Sequence, residues 1–251
     1  MGSDRAPASG ESARDKDRIG RGREAGAKGG AEETRWESLY NNLKTIGAAV
    51  LLALVIRTVL FEAFEIEGPS MEPTLLNGDR VVVAKYLYGL FLPLSQHSVL
   101  NWGKPELGDV VIIKSPADNV DIVKRVIGLP GDTIAFRQNL VYRNGKPMMA
   151  RDRGPCREGR GKEKAPLCRQ IESEIGGKAF LTSGVPLWMD RPPVTVPERH
   201  FFVLGDHRDS SNDSRSIGMI PFDRVKGKSL AIYWSNGEGG FRWGRLFNAV
   251  H

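Results

Sequence analysis

The chain has 251 residues, of which 40% are hydrophobic and 26% are charged. This composition suits a buried core of one domain, or of one domain with a subdomain, and excludes a wholly disordered protein. The formal net charge of +6 does not indicate a nucleic-acid partner, because basic and acidic residues are interleaved and no zinc-finger spacing or RNP-like aromatic motif occurs.

Residues 1–42 are predicted to form a disordered tail. Up to Arg35 the chain is rich in small and charged residues, and Ile19 is its one apolar residue large enough to pack. Such a composition cannot offset the entropy lost on ordering. The tail is not expected to be a secretory signal peptide, because no apolar region follows a short charged start.

Residues 43–61 form an apolar stretch that predicts a transmembrane helix. At about 1.5 Å per residue, such a helix spans a hydrocarbon core of about 30 Å. Arg57 is costly inside a bilayer, but it lies near the downstream end, where its long side chain can reach the headgroups. A buried helix in a soluble core is the alternative interpretation.

Charges on either side of this stretch predict its orientation. Lys28, Arg35 and Lys44 lie before or at its start, and four glutamates follow it: Glu62, Glu65, Glu67 and Glu72. The positive-inside rule places the tail in the cytoplasm and the remainder outside it. We therefore expect a single-pass membrane protein in contact with lipid, with the residues after the apolar stretch outside the cytoplasm.

Ser70 lies between two prolines directly after the apolar stretch. Gly68-Pro69 and Glu72-Pro73 are turn signals, because proline fixes φ and keeps the preceding residue out of the helical region. One interpretation is an ordinary turn. The other is a nucleophile on a rigid loop, which requires a base elsewhere in the chain.

Beyond Ser70 the chain is predicted to be mainly β, with an antiparallel catalytic core formed by residues 62–143 and 199–251. Short β-branched or aromatic runs bounded by turn residues support this fold. The runs are Asp79–Lys85, Asp109–Lys114, Asp121–Gly128, Thr133–Arg137 and His200–Leu204. The apolar segment 86–94 is too broken by Gly and Pro for an ordinary strand; core packing and contact with the membrane interface both remain open.

Residues 144–198 are polar and predict a smaller inserted subdomain, which contains both cysteines, Cys156 and Cys168. On the extracytoplasmic side this pair fits a disulfide worth roughly 3 kcal/mol. Two free thiols are the alternative. No histidine lies beside the cysteines to complete a zinc site, so no metal is expected.

Two residues are candidates for the base. His207 could form a triad with Ser70 and an aspartate, because triad members need not be close in sequence. Lys124 shares a strand face with Ile122 and Val126, and desolvation there would lower its pKa until a neutral amine accepts the serine proton. Periodicity alone favours a lysine that reaches solvent at a strand edge.

Three segments together resemble the type I (leader) signal peptidases, a family of Ser/Lys-dyad serine proteases. Ser70–Leu75 (SMEPTL) is similar to the family's S-M-x-P-T-L box, and Lys124–Asp132 (KRVIGLPGD) to its K-R-V-I-G-L-P-G-D box. Gly205–Arg215 (GDHRDSSNDSR) is similar to its G-D-N-R-D-N-S-x-D-S-R box. The order and spacing also match, so the resemblance covers roughly residues 45–235.

The resemblance implies Ser70 as the nucleophile and Lys124 as the general base. It implies that Ser211 hydrogen-bonds and orients the Lys124 amine, while Asp213 and Arg215 form a supporting pair. The Ser70 backbone N–H would be the main oxyanion donor, because the serine that some members carry two residues before the nucleophile is Gly68 here. His207 and Ser210 replace asparagines of the family box.

The family removes signal peptides from exported preproteins after small residues at −1 and −3, without a metal or cofactor. The resemblance also implies location in the bacterial inner (plasma) membrane, with the catalytic domain on the periplasmic or extracytoplasmic side. An extended peptide could add a strand, with its side chains in shallow apolar pockets. Candidate pocket residues are Phe64, Ile66, Met71, Ile122 and Val123. Alternatives are a specialised Ser/Lys maturation peptidase with a pilin-type substrate, an autocleaving repressor-like protease, which the apolar stretch disfavours, and a non-catalytic membrane-tethered β-domain that binds peptides or lipid.

Overall fold

A computed structural model describes residues 36–53, 60–90, 97–138, 140–156, 168–184 and 190–251. The chain divides into two compact units, Met1–Val55 and Ile56–His251. Residues 1–35 of the predicted tail and residues 54–59 of the predicted span lie outside the described part.

In the first unit, residues 36–53 are helical. The prediction of a disordered tail is therefore wrong for residues 36–42. Trp36, Leu39, Tyr40 and Leu43 recur at helical spacing, and this periodicity continues into the apolar stretch. Over the described part of the chain, no helix has both the length and the apolar character needed to cross a membrane.

In the second unit, the described segments form seventeen strands, and the first begins at Phe61, which the sequence placed at the end of the span. Their bounds are β1 Phe61–Glu65, β2 Asp79–Ala84, β3 Gly89–Leu90, β4 Leu100–Asn101, β5 Val110–Lys114, β6 Asp121–Gly128, β7 Thr133–Arg137, β8 Leu140–Arg143, β9 Lys146–Pro147, β10 Met149–Pro155, β11 Arg169–Ile175, β12 Lys178–Gly184, β13 Arg191–Thr195, β14 His200–Leu204, β15 Ile220–Pro221, β16 Val225–Gly237 and β17 Gly240–Phe241. Short helical turns occupy Ser214–Ile217, Phe222–Arg224 and Trp243–Arg245.

The largest sheet has the order β1-β2-β16-β5-β6-β14-β15, with β17 paired to β16. Its neighbouring strands are antiparallel. This arrangement confirms the predicted mainly β, antiparallel fold. The five strands predicted from β-branched runs correspond to β2, β5, β6, β7 and β14.

The central strand β16 was not predicted, because small residues occupy several of its buried positions. Gly227 and Ser229 are buried where an alternating strand would carry Val or Ile. A Cβ at Gly227 would lie 2.6 Å from the backbone oxygen of Ala84 on β2, so only glycine allows this approach. Hydrophobic alternation therefore gives a weak signal for the strand that joins both halves of the sheet.

Two smaller sheets, with the orders β10-β11-β12 and β13-β7-β8-β9, contain most of the predicted insertion. Its ends, β9 and β13, pair with strands that the sequence assigned to the core. Ile175 and Phe180 from the insertion pack in one hydrophobic cluster with Ile127 and Phe202. The segment 144–198 therefore shares a core with the remainder of this unit.

Within the described part of the apolar segment 86–94, Leu87 and Tyr88 pack in the core, whereas Tyr86 is 40% exposed. Tyr88 is buried, and its hydroxyl donates to Asp109 Oδ2 at 2.9 Å. Gly89–Leu90 pairs with Leu100–Asn101 as a two-stranded ribbon. Residues 91–96 lie outside the described part.

Candidate active site

Ser70 lies on a tight loop between β1 and β2. The Glu72 N–H donates to the Pro69 carbonyl at 3.0 Å, and the Leu75 N–H to the Met71 carbonyl at 2.9 Å. Gly68 has φ of 82° and donates its N–H to Asn77 Oδ1 at 2.8 Å. Because side chains are disfavoured at this φ, a serine at position 68 would strain the loop.

Met71 and Leu75 anchor this loop to the main sheet. Both side chains are buried in a cluster that includes Val81 of β2 and Ile112 of β5. The residue after the nucleophile and the residue five positions after it are thus fixed by packing. The loop is held by its apolar residues as well as by its prolines.

Lys124 lies on β6, paired with Val111 of β5, and its side chain is buried. Its Nζ lies 2.9 Å from Ser70 Oγ and 2.8 Å from the Val123 carbonyl oxygen. These two contacts direct the amine at the serine hydroxyl. The lysine that periodicity alone assigns to a strand edge lies in the interior of the sheet.

Burial lowers the pKa of Lys124 to about 8, because the charged amine loses its hydration. Asp213 and Asp206 oppose this shift through their negative charges, and Arg215 adds to it. At pH 7, roughly a tenth of such an amine is neutral. A neutral amine at hydrogen-bond distance from a hydroxyl can accept its proton.

Asp213 and Arg215, predicted as a pair, form one. Arg215 donates from Nε to Asp213 Oδ1 at 2.8 Å and from Nη2 to Oδ2 at 2.7 Å, while the Gly205 N–H donates to Oδ2 at 2.9 Å. Burial alone would raise the pKa of Asp213, but the hydrogen bonds and charge of Arg215 bring it below its usual value. The carboxylate therefore stays ionised.

The predicted hydrogen bond between Ser211 and Lys124 is not formed. Ser211 Oγ is buried beside the Asp213 carboxylate instead, and its hydroxyl helps to lower the pKa of Asp213. The side chain does lie at the nucleophile loop: a Cβ at Gly205 would overlap both Ser211 Oγ and the Ser70 carbonyl oxygen. The Lys124 amine is directed toward Ser70 Oγ and the Val123 carbonyl oxygen instead.

His207 does not occupy the position of a triad base. Its Nδ1 lies 3.2 Å from the Pro69 carbonyl oxygen, and its Nε2 lies 3.2 Å from Asp209 Oδ1. Both ring nitrogens thus face oxygens other than Ser70 Oγ. Of the two candidate bases, Lys124 is the one that contacts the serine hydroxyl.

The candidate pocket residues fall into two groups. Phe64, Ile66, Met71 and Val123 share one hydrophobic cluster, whereas Ile122 packs in another. Neighbouring residues of a strand face opposite sides, so Ile122 and Val123 cannot line one pocket face. Ile66 and Met71 are buried as core residues, while Phe64 and Val123 are only partly buried.

A buried ion pair beside the site was missed in the sequence. Arg125, next to Lys124, donates from Nε and Nη2 to both carboxylate oxygens of Asp206 at 2.8 and 2.7 Å. Thr74 Oγ1 donates to Asp206 Oδ2 at 2.6 Å, and the guanidinium lies 4.0 Å from the centre of the Phe180 ring. Thr74, Arg125 and Asp206 each lie in a different one of the three family boxes. Their place in these boxes is the sequence feature that could have indicated that they meet.

The C-terminal segment also holds the nucleophile loop. Arg245 donates from Nη2 to the Thr74 carbonyl oxygen at 2.9 Å and to Asp79 Oδ2 at 2.6 Å. Arg242 Nη1 donates to the Asn77 carbonyl oxygen at 3.1 Å. Asp79 is fully buried and also accepts the Leu76 N–H at 2.8 Å. The part of the loop downstream of Ser70, residues 74–77, is thus tied to charged groups.

Cys156 and Cys168 are joined by a disulfide bond. The Cys156 N–H also donates to the Cys168 carbonyl oxygen at 3.0 Å. Within the described ranges, no group of three or more His, Cys, Asp or Glu side chains is arranged to hold a metal ion.

We expect Asp206→Asn to lower the free energy of unfolding by about 3–5 kcal/mol, because it leaves the buried charge of Arg125 uncompensated. The matched control is Glu65→Gln, which breaks the exposed pair with Arg80 and should cost at most about 1 kcal/mol. Urea unfolding measures both. A loss no larger in Asp206→Asn than in Glu65→Gln would contradict the importance of the buried pair.

Comparisons with known proteins identify the family. The model of the family described as signal peptidase, peptidase S26, matches residues 39–234. The chain is 38% identical over 202 residues to a signal peptidase I from Bacillus licheniformis, covering 80% of this chain and 91% of that protein. It is 33% identical over 208 residues to a signal peptidase I from Pseudomonas fluorescens, covering 76% of this chain and 71% of that one.

Among solved structures, a signal peptidase I from Enterococcus faecalis V583 is similar at 27% sequence identity and a TM-score of 0.31, covering 50% of this chain and 96% of that one. The sequence matches confirm the resemblance that the three boxes predicted. The chain belongs to the signal peptidase family, peptidase S26, and is a serine endopeptidase.

Proposed function

We propose that the protein removes signal peptides from exported preproteins, with Ser70 as the nucleophile and Lys124 as the general base. The observation that carries the proposal is the 2.9 Å distance between Lys124 Nζ and Ser70 Oγ, in a buried setting that lowers the pKa of the amine to about 8. The match to signal peptidases supports the substrate class.

In the first half of the reaction, Ser70 Oγ attacks the carbonyl carbon of the scissile bond while Lys124 Nζ accepts the hydroxyl proton. The carbonyl oxygen becomes an oxyanion. When the intermediate collapses, Lys124 returns the proton to the departing amine, which is the new N-terminus of the mature protein. The signal peptide remains attached to Ser70 as an ester.

In the second half, a water molecule attacks the ester carbonyl and Lys124 accepts its proton. Collapse of this second intermediate breaks the bond to Ser70 Oγ, which regains a proton from Lys124. The released signal peptide carries a new carboxylate. One amine thus serves as base and acid in both halves, and no metal or cofactor takes part.

The substrate is proposed to bind as an extended strand between β1 and the Ile122–Val123 part of β6. Main-chain hydrogen bonds would supply affinity, and shallow pockets would select small residues at −1 and −3. Phe64 and Val123 are the partly buried candidates for these pockets. Their apolar surface suits small side chains better than charged ones.

Membrane anchoring is proposed from residues 43–61, with the tail in the cytoplasm and the catalytic core outside it. An exposed aromatic group on the second unit supports contact with lipid. Trp234 and Trp243 each pack edge-on against Phe241, with ring centres 4.7 and 4.4 Å apart, and Trp243 and Phe247 are largely exposed. Amphipathic rings of this kind favour the membrane–water interface.

A non-catalytic peptide-binding domain is the alternative from another class. Such a domain has no need for an amine whose pKa is lowered beside a serine hydroxyl, and buried titratable groups of this kind concentrate at reactive sites. A specialised maturation peptidase would share the dyad and differ only in its substrate. Assays with several preproteins separate that possibility from general signal-peptide removal.

Ser70→Ala and Lys124→Met should each lower the rate of preprotein cleavage by about 10³-fold or more, because either removes a group that acts in every step. Cleavage is measured in detergent, and circular dichroism checks that the fold is kept. The exposed residues Ser216 and Lys104 provide the matched controls Ser216→Ala and Lys104→Met, which should cleave normally. Wild-type activity in Lys124→Met would rule out the dyad.

The rate should also depend on pH in a definite direction. As the pH falls below about 8, Lys124 gains a proton and can no longer accept one, so kcat/KM should fall about tenfold per pH unit. Above that pH it should level off. A preprotein assay from pH 6 to 9.5 measures this profile, and a flat one would contradict the assigned base.

A further inference from the structure

We propose that His207 is a positioning residue that fixes the direction of the Ser70 N–H, the donor for the oxyanion. The inference rests on the proposed function, because it needs Ser70 to be the nucleophile. It assigns to His207 a role in the Ser/Lys reaction that differs from that of a base.

The carbonyl oxygen of Pro69 accepts two hydrogen bonds. One comes from His207 Nδ1 at 3.2 Å, and the other comes from the Glu72 N–H at 3.0 Å. A carbonyl oxygen can only accept, so Nδ1 carries the proton in this contact. The imidazole therefore donates to the carbonyl group that directly precedes Ser70.

This carbonyl and the Ser70 N–H belong to the same peptide unit. In a planar trans peptide the C=O and N–H bonds point in opposite directions, so fixing one fixes the other. The peptide between Pro69 and Ser70 is trans, whereas that between Glu72 and Pro73 is cis. Among the described residues the Ser70 N–H has no acceptor, which leaves it available to a substrate.

His207 also holds the next peptide. Its backbone N–H donates to the Ser70 carbonyl oxygen at 3.1 Å. The peptide units on both sides of the nucleophile are thus tied to one residue. Rotation of the Ser70 N–H away from the site would break the imidazole contact.

The imidazole is largely enclosed by neighbouring groups. Its side chain is 16% exposed, with Asp209 Oδ1 3.2 Å from Nε2 and Glu72 Oε2 3.9 Å from Nδ1. The backbone around His207 pairs with Ser183 of β12, whose N–H donates to the Asp206 carbonyl oxygen at 2.9 Å. Ser183 Oγ donates to the Glu72 carbonyl oxygen at 2.9 Å, so β12 holds both the backbone around His207 and the nucleophile loop.

This support matters because position 68 offers no side-chain donor. With glycine there, stabilisation of the oxyanion depends on the backbone N–H of Ser70. Removal of one oxyanion donor lowers kcat by about 10²–10³-fold. Loss of the contact that orients a donor should have a smaller effect, about 10–100-fold.

Two variants test the inference. His207→Leu removes the imidazole donor and keeps an apolar side chain of similar reach, whereas His207→Asn places an amide N–H close to the position of Nδ1. Both keep the backbone N–H that binds the Ser70 carbonyl. We expect kcat for a preprotein to fall about 10–100-fold in His207→Leu with KM within about twofold, and to stay within about threefold in His207→Asn.

A second measurement separates positioning from general packing. A peptide boronate with alanine at −1 and −3 forms a tetrahedral adduct with a reactive serine, whereas the corresponding product peptide does not. Affinity for the boronate should fall in His207→Leu by about the same factor as kcat, and affinity for the product peptide should be unchanged. A parallel loss of both affinities would indicate packing and overturn the inference.

Further outcomes count against the inference. A His207→Leu enzyme with wild-type kcat, or equal losses in the leucine and asparagine variants, would overturn it. The Ser70→Ala enzyme separates the test of the proposed function from the test of the role of His207. Activity in Ser70→Ala would remove the proposed function itself, whereas an inactive Ser70→Ala beside a fully active His207→Leu would remove only the role of His207.

Discussion

The burial of the Lys124 amine is the constraint on which the rest of the site depends. An amine in water is protonated at neutral pH and cannot act as a base. Lys124 lies on β6, between β5 and β14 of the largest sheet, where its side chain is buried and its pKa falls to about 8. The placement of β6 between β5 and β14 is therefore needed to keep part of the Lys124 amine neutral, so that it can act as a base.

Two buried carboxylates stand close enough to oppose this effect. Asp206 and Asp213 both favour the charged form of Lys124, yet desolvation outweighs them. Each carboxylate is bound through two hydrogen bonds by an arginine of its own, Arg125 and Arg215 respectively. The charge of each carboxylate is balanced by its own arginine. The carboxylates can therefore hydrogen-bond to the backbone around the site without forming an ion pair with Lys124.

Much of the fold could be predicted from the sequence, since strands such as β5 and β6 are built from β-branched residues bounded by turn signals. The strand β16 was not predicted, because glycine and serine occupy buried positions at which its backbone lies close to that of a neighbouring strand. At the site, periodicity alone left Lys124 and His207 both open as bases. Lys124 was preferred over His207 as the base only because three segments resemble the boxes of the signal peptidase family.

Contacts between residues far apart in the sequence, and the directions of side chains at the site, could not be predicted. Arg125 and Asp206 are 81 residues apart, and nothing local to either shows that they meet. The resemblance implied that Ser211 orients the Lys124 amine, but the direction of that amine depends on the rotamers of several packed side chains. The contact of His207 with the Pro69 carbonyl likewise appears only when the chain is folded.

The most direct test of the central claim is the pKa of Lys124 in the folded enzyme. Nuclear magnetic resonance of the protein with isotopically labelled lysines can follow each amine through a pH titration, and the Lys124→Met variant identifies the signal. We predict a midpoint near 8. A midpoint at or above about 10, the ordinary value for lysine, would contradict it.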